Sequence, residues 1–125
     1  FGVNIGIGFQ LKDDFLDVYA DKKKFGKQVG GDILANKKTF LLIKALQKAK
    51  ERDKIELNRW LKATRFRKTE KVKAVTALYN KLGIPTDTES KIKEYFDRGF
   101  AAIETLSAKD QIPLLVKFAN DIASR

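Results

Sequence analysis

Gln10, Asp13, Asp14 and Asp17 stand at positions i, i+3, i+4 and i+7 of the apolar segment GFQLKDDFLDVY, residues 8–19. On a helix these four side chains share one face, with neighbours about 5–6 Å apart. Three carboxylates so close repel one another, and one or more tends to hold its proton unless a counter-charge is supplied. One reading is a solvent-exposed helix end of mixed charge. The other is a divalent-cation site: Mg2+ prefers hard oxygen ligands, keeps several waters, and is typically held by one or two carboxylates together with substrate phosphates. The residues downstream suit the second reading. Lys22, Lys23, Lys24 and Lys27 are succeeded by Gly30 and Gly31 and then by Lys37. Lysine is a mobile point charge for phosphate, and Gly26, Gly30 and Gly31 allow tight turns near a ligand. The loop has neither P-loop nor EF-hand spacing, while KKKFGK by itself also reads as a localisation or nucleic-acid patch.

Composition narrows the chemistry. The chain has 125 residues, the size of one domain, with 43% hydrophobic residues, enough for a core. Neither Cys nor His occurs, which removes disulfides, thiolate metal sites, His bases and zinc centres. The lack of Cys fits a cytoplasmic protein. No uncharged apolar run is long enough to span a membrane, and no basic-then-apolar leader is present. Lys and Arg number 26 against 16 acidic residues, a net charge of +10. Such a surplus suits a well-solvated helical surface, nucleic acid, an acidic membrane surface or phosphorylated substrates.

The elements that must position these groups are mostly helical in pattern. The opening FGVNIGIGFQL is ambiguous: Phe1, Val3, Ile5, Ile7, Phe9 and Leu11 alternate as in a strand, yet Gly2, Gly6 and Gly8 weaken a strand interior. On a helix, Gly2 and Gly6 lie one turn apart and would admit a neighbouring helix. The apolar, Met-free start predicts a chain that begins inside a helix of a longer protein. Apolar stripes then predict helices around residues 37–50 (Phe40, Leu41, Ile43, Leu46, Ala49), 54–64 (Ile55, Leu57, Trp60, Leu61) and 69–83 (Val72, Val75, Leu78, Tyr79, Leu82), the last stopping at Gly83 as C-cap. A further helix over 84–106 is predicted with Thr86 and Glu89 as a capping box and a stripe of Ile92, Tyr95, Phe96, Phe100, Ile103 and Leu106. A last one begins near Pro113 and carries Leu114, Leu115, Phe118 and Ile122. These stripes read as core. Repeats and low-complexity tracts are absent.

The string GFQLKDDFLD followed by GKQVGGDILANKKT resembles the carboxy-terminal half of the trans-isoprenyl diphosphate synthases, the polyprenyl synthetases of farnesyl and geranylgeranyl diphosphate synthase type. Phe9-Gln10 with Asp13-Asp14-Phe15-Leu16-Asp17 matches that family's second aspartate-rich motif, F-Q-x-x-D-D-x-x-D. Gly26-Lys27, Gly30, Asp32 and Asn36-Lys37 match the segment after it. The resemblance is concentrated in residues 6–40. It implies an all-α fold, a helical-bundle fragment of the isoprenoid synthase fold, with residues 1–125 as the carboxy-terminal part of a single domain and the first segment as helix. It implies a prenyltransferase that condenses an allylic diphosphate with isopentenyl diphosphate, with Mg2+ as cofactor. By carry-over Asp13, Asp14 and Asp17 hold metal and join Lys27 as catalytic residues. Lys27 and Lys37 contact the allylic diphosphate, and Gln10 lines the cavity. Stabilising the departing diphosphate needs neither His nor Cys.

The family's first aspartate-rich motif and the basic residues that hold isopentenyl diphosphate lie upstream of the second motif and are not in this chain. The expectation is therefore a carboxy-terminal portion of a longer synthase, inactive in isolation, with product length unreadable. Arg125 is a loose candidate for a basic residue near the site. The parent is expected to form a homodimer and not to bind nucleic acid. The rival reading is a basic helical binding module for nucleic acid or a protein partner, with Trp60 or Phe66 for stacking.

Overall fold

A computed structural model describes residues 2–19, 30–105 and 108–123. Among them are seven helices and no strand: α1 (Gly2–Tyr19), α2 (Gly31–Leu34), α3 (Phe40–Lys48), α4 (Arg52–Lys62), α5 (Lys68–Lys81), α6 (Ile84–Glu104) and α7 (Ala108–Ala123). The all-α expectation holds. No described helix is long and apolar enough to cross a membrane.

The period-two opening folds as helix. The buried residues of α1 are Ile5, Gly8, Leu11, Asp14 and Val18, spaced by three or four as one helical stripe requires. Val3 and Ile7, which completed the alternation, are exposed. The close approach expected at Gly2 and Gly6 occurs elsewhere. Both of those glycines face open space, whereas a Cβ on Gly8 would sit 3.1 Å from the Phe96 ring and one on Gly99 only 2.5 Å from Ile5 Cδ1. α1 and α6 thus press together through a glycine on each helix, and Phe9 meets Phe96 edge-on at 5.3 Å between ring centroids.

The remaining helices surround a core of Val18, Ile33, Leu41, Leu42, Ala45, Leu57, Val75, Leu78, Tyr79 and Ile84. Their boundaries follow local chemistry. Thr39 caps α3 by accepting the Leu42 N–H at 3.2 Å, a standard N-cap. α5 closes at Leu82, and Gly83 follows at φ 72°, the left-handed turn that favours glycine and the stop its position predicted. The Thr86–Glu89 capping box is not formed. Gly83 is the N-cap of α6 and Pro85 occupies its first turn, so Thr86 and Glu89 are already inside the helix and exposed. Pro113 likewise lies inside α7. The helix starts at Ala108, with Asp110 in the first turn where the helix dipole favours an acid.

The stripes mostly bury as expected. The exceptions are Ile43 and Ile55, 46% and 71% exposed: each is an apolar residue added to the edge of a stripe already satisfied by Leu41–Leu42 and by Leu57. Phe100 is also at the surface, while Ile84, Thr88, Gly99 and Ile103 form the buried line of α6. The side chains of Leu106, Leu114, Phe118 and Ile122 lie outside the described residues. α7 docks on α6 through Gln111 Nε2, which donates to the Ile103 carbonyl at 3.0 Å, and exposes Ile112, Val116 and Leu115, the last a further exception to the expected core stripe.

Candidate functional site

The acidic face of α1 and the turn after α2 meet at one place. Asp14 is buried, its side chain 9% exposed, and Lys37 Nζ lies 3.4 Å from its Oδ1. Gln10, one helical turn before Asp14, donates from Nε2 to the same oxygen at 3.1 Å. Lys37 also stands 4.0 Å from Asp32 Oδ1. One ammonium therefore bridges carboxylates on two elements. Asp14 above all, with Asp32, holds the Lys37 ammonium above the usual lysine range, so it stays charged throughout the neutral region.

Asp17 has a different task. Its Oδ2 accepts the Asp32 backbone N–H at 2.8 Å, and its carbonyl accepts the Gly30 N–H at 2.7 Å. Asp17 thereby supplies the cap that α2 lacks from its own N-cap residue, Gly30. Gly30 sits at φ 95°, with its Cα hydrogens where a Cβ would strike Val72 at 2.6 Å; this turn needs glycine for both conformation and space.

The carboxylates crowd one another. Burial, then the charge of Asp17, and to a lesser degree that of Asp14, push the Asp32 carboxyl above its ordinary value, while Lys37 opposes them. Asp32 matched the motif without being singled out as a site residue, and its acid is the one the structure brings beside Asp14 and Asp17. Asp13 points to the exposed side of α1. Among the described residues no three carboxylates close into a ready metal cage. The donor set nevertheless fits a hard cation: all-oxygen ligands, excess negative charge, and a lysine as internal counter-ion. Lys27 and Arg125 lie outside the described residues.

Behind this site, Asn36 adopts φ 53°. Its Nδ2 donates to the Leu61 carbonyl at 3.0 Å, and its Oδ1 accepts from Lys71 Nζ at 2.6 Å. Sequence reasoning missed Lys71, which reads as one lysine among many on α5. Trp60, a candidate for base stacking, packs instead against the core, and Phe66 lies beneath the Lys71 ammonium at 4.5 Å.

Known proteins resemble this chain in sequence and in helical arrangement. The polyprenyl synthetase family model matches residues 1–79. A geranylgeranyl pyrophosphate synthase of Geoglobus acetivorans is 31% identical over all of this chain and 37% of its own length. Farnesyl pyrophosphate synthase 1 of Cannabis sativa is 34% identical over 98% of this chain and 35% of its own. A crystal structure of geranylgeranyl pyrophosphate synthase superposes with a TM-score of 0.78 at 34% identity, covering 99% of this chain and 39% of that one. The chain thus spans little more than a third of the length of these relatives.

Proposed function

Because this chain belongs to the polyprenyl synthetase family, we propose that it supplies the diphosphate-holding side of a prenyl-elongating site, in which an allylic diphosphate condenses with isopentenyl diphosphate. The observation that carries the reading is the placement of Lys37 between Asp14 and Asp32, 3.4 and 4.0 Å away, an ion arrangement that a cation and a diphosphate can take over together.

Asp13, Asp14 and Asp17 would hold Mg2+, with Asp32 beside them, and Lys27 and Lys37 would meet the diphosphate oxygens. Mg2+ when bound supplies charge stabilisation to the leaving group. Within this half of the site, the chain's own residues would bind and orient the leaving group. As the allylic carbon–oxygen bond breaks, its electron pair passes to the diphosphate, and the Lys37 ammonium stabilises the growing anion from a position fixed beforehand. The double bond of isopentenyl diphosphate then attacks the allylic cation, and a proton passes from the condensed cation to the released diphosphate, restoring a double bond. Gln10 keeps Asp14 aimed at Lys37. Homodimerisation of the parent synthase belongs to the same reading.

Calorimetric titration of inorganic diphosphate into the 125-residue chain tests it. Binding should require Mg2+, and Asp13→Ala should weaken it at least about tenfold, as loss of a group around a metal commonly does. Prenyl transfer by the isolated chain should be undetectable, and measurable turnover would contradict that part of the reading. Binding of diphosphate that ignores Mg2+, or salt-sensitive nucleic-acid binding that ignores both, would replace the synthase reading with the basic binding module.

A further inference from the structure

Lys71 is 1% exposed. Placing an ammonium in the interior is unfavourable unless it is well partnered, and burial lowers this amine below the usual lysine range. Its partners are an amide oxygen and an aromatic face: Asn36 Oδ1 at 2.6 Å and the Phe66 ring at 4.5 Å. Asn36 in turn spends both ends of its amide, the Nδ2 going to Leu61 in the last turn of α4. Its backbone is left-handed at φ 53°, a conformation that Asn tolerates through local hydrogen bonding better than most residues. The next residue is Lys37, whose N–H is tied to the Asp32 carbonyl at 2.9 Å and whose carbonyl accepts the Thr39 N–H at 2.9 Å.

We propose that Lys71 is a positioning residue for Lys37: by gripping Asn36 against α4 and α5 it fixes the turn from which the Lys37 ammonium reaches between Asp14 and Asp32. The proposal rests on the reading of Lys37 as a diphosphate contact, since only then does its placement matter to function. It explains why a buried ammonium with an amide partner stands where a Leu or Met would pack. A single rigid amide, held at both ends, transmits the order of two helices to one side chain on the site.

The test uses the 125-residue chain with labelled lysine, reading the Lys37 13Cε–Hε signal by NMR and inorganic diphosphate affinity in Mg2+ by calorimetry. Lys71→Met, which keeps the unbranched stem, should move the Lys37 signal to that of a solvated lysine and weaken diphosphate binding about tenfold, the usual scale for loss of a supporting contact behind a site. Asn36→Gly, which accepts the left-handed turn and leaves Lys71 in place, should do the same. A Lys37 signal and an affinity unchanged in both Lys71→Met and Asn36→Gly would overturn the proposal, whatever happened to stability. Should Lys71→Met fail to fold, Asn36→Gly decides by the same readings. Should the wild-type chain fail to bind diphosphate, the proposed function falls, and the Lys37 signal alone decides the role of Lys71.

Discussion

Asp17 shows how one side chain serves two ends. Its Oδ2 is committed to the Asp32 N–H, while its charge raises the Asp32 carboxyl. The two roles separate by mutation. Asp17→Ala should lower stability by about 1.5 kcal/mol in urea denaturation, the scale of a hydrogen bond to a charged acceptor. Asp17→Asn keeps an acceptor oxygen and should lose less. In both variants the Asp32 carboxyl, followed by NMR, should titrate closer to its ordinary value. The shared helical face of the aspartates was legible from their spacing, because positions i, i+3, i+4 and i+7 line up on a helix. Which acid bonds what was not, because Asp32 and Lys37 reach α1 only through the turns around α2. Lys71 was illegible for a plainer reason: its neighbours Glu70 and Lys73 are exposed, and nothing in a run of charged residues marks the one that turns inward.

Two elements decide where the acidic face stands. α1 was ambiguous in sequence because its glycines suit neither period, and the matter is settled by packing: Ile5 fills the space left by Gly99, and Phe96 covers Gly8. Gly99→Ala should therefore be destabilising despite the better helix propensity of alanine, worth about 1 kcal/mol, because overpacking typically costs about 1–3 kcal/mol. Ile5→Ala removes both the Cδ1 and the Cγ1 that a Cβ on residue 99 would meet at 2.5 and 2.6 Å. The double variant should be more stable than the sum of the two single effects, a coupling that a mutant cycle in urea reads directly. The helix starts were less legible than the helices. Gly83 stops α5 and also begins α6, so the junction needs no separate capping box, and the Thr86–Glu89 pattern is left without work.

At the scale of the whole molecule, burial acts most plainly on two phenols. Burial raises the Tyr19 phenol to about 12 and the Tyr79 phenol further still, the latter helped by the charges of Tyr19 and Asp32. A raised folded value means that the folded chain holds these protons longer than the unfolded one. This contribution is fully present below the ordinary tyrosine value of 10.0 and is lost as pH rises through about 12 for Tyr19. Lys71 acts in the opposite sense, since its folded value lies below 10.5. Urea midpoints should fall as pH rises above 10.0, and Tyr79→Phe should flatten that fall. The close packing of α1 on α6 has a kinetic corollary. The first helix finds its principal partner about three quarters of the chain length away, through Gly8–Phe96 and Ile5–Gly99, whereas α4 and α5 meet as neighbours. Contacts between distant segments form only after the closure entropy of the intervening chain has been overcome. The seam of Ile5 and Gly8 against Gly99 and Phe96 should thus be among the last contacts to form during refolding, after Leu57, Val75 and Leu78 have already drawn the centre of the molecule together.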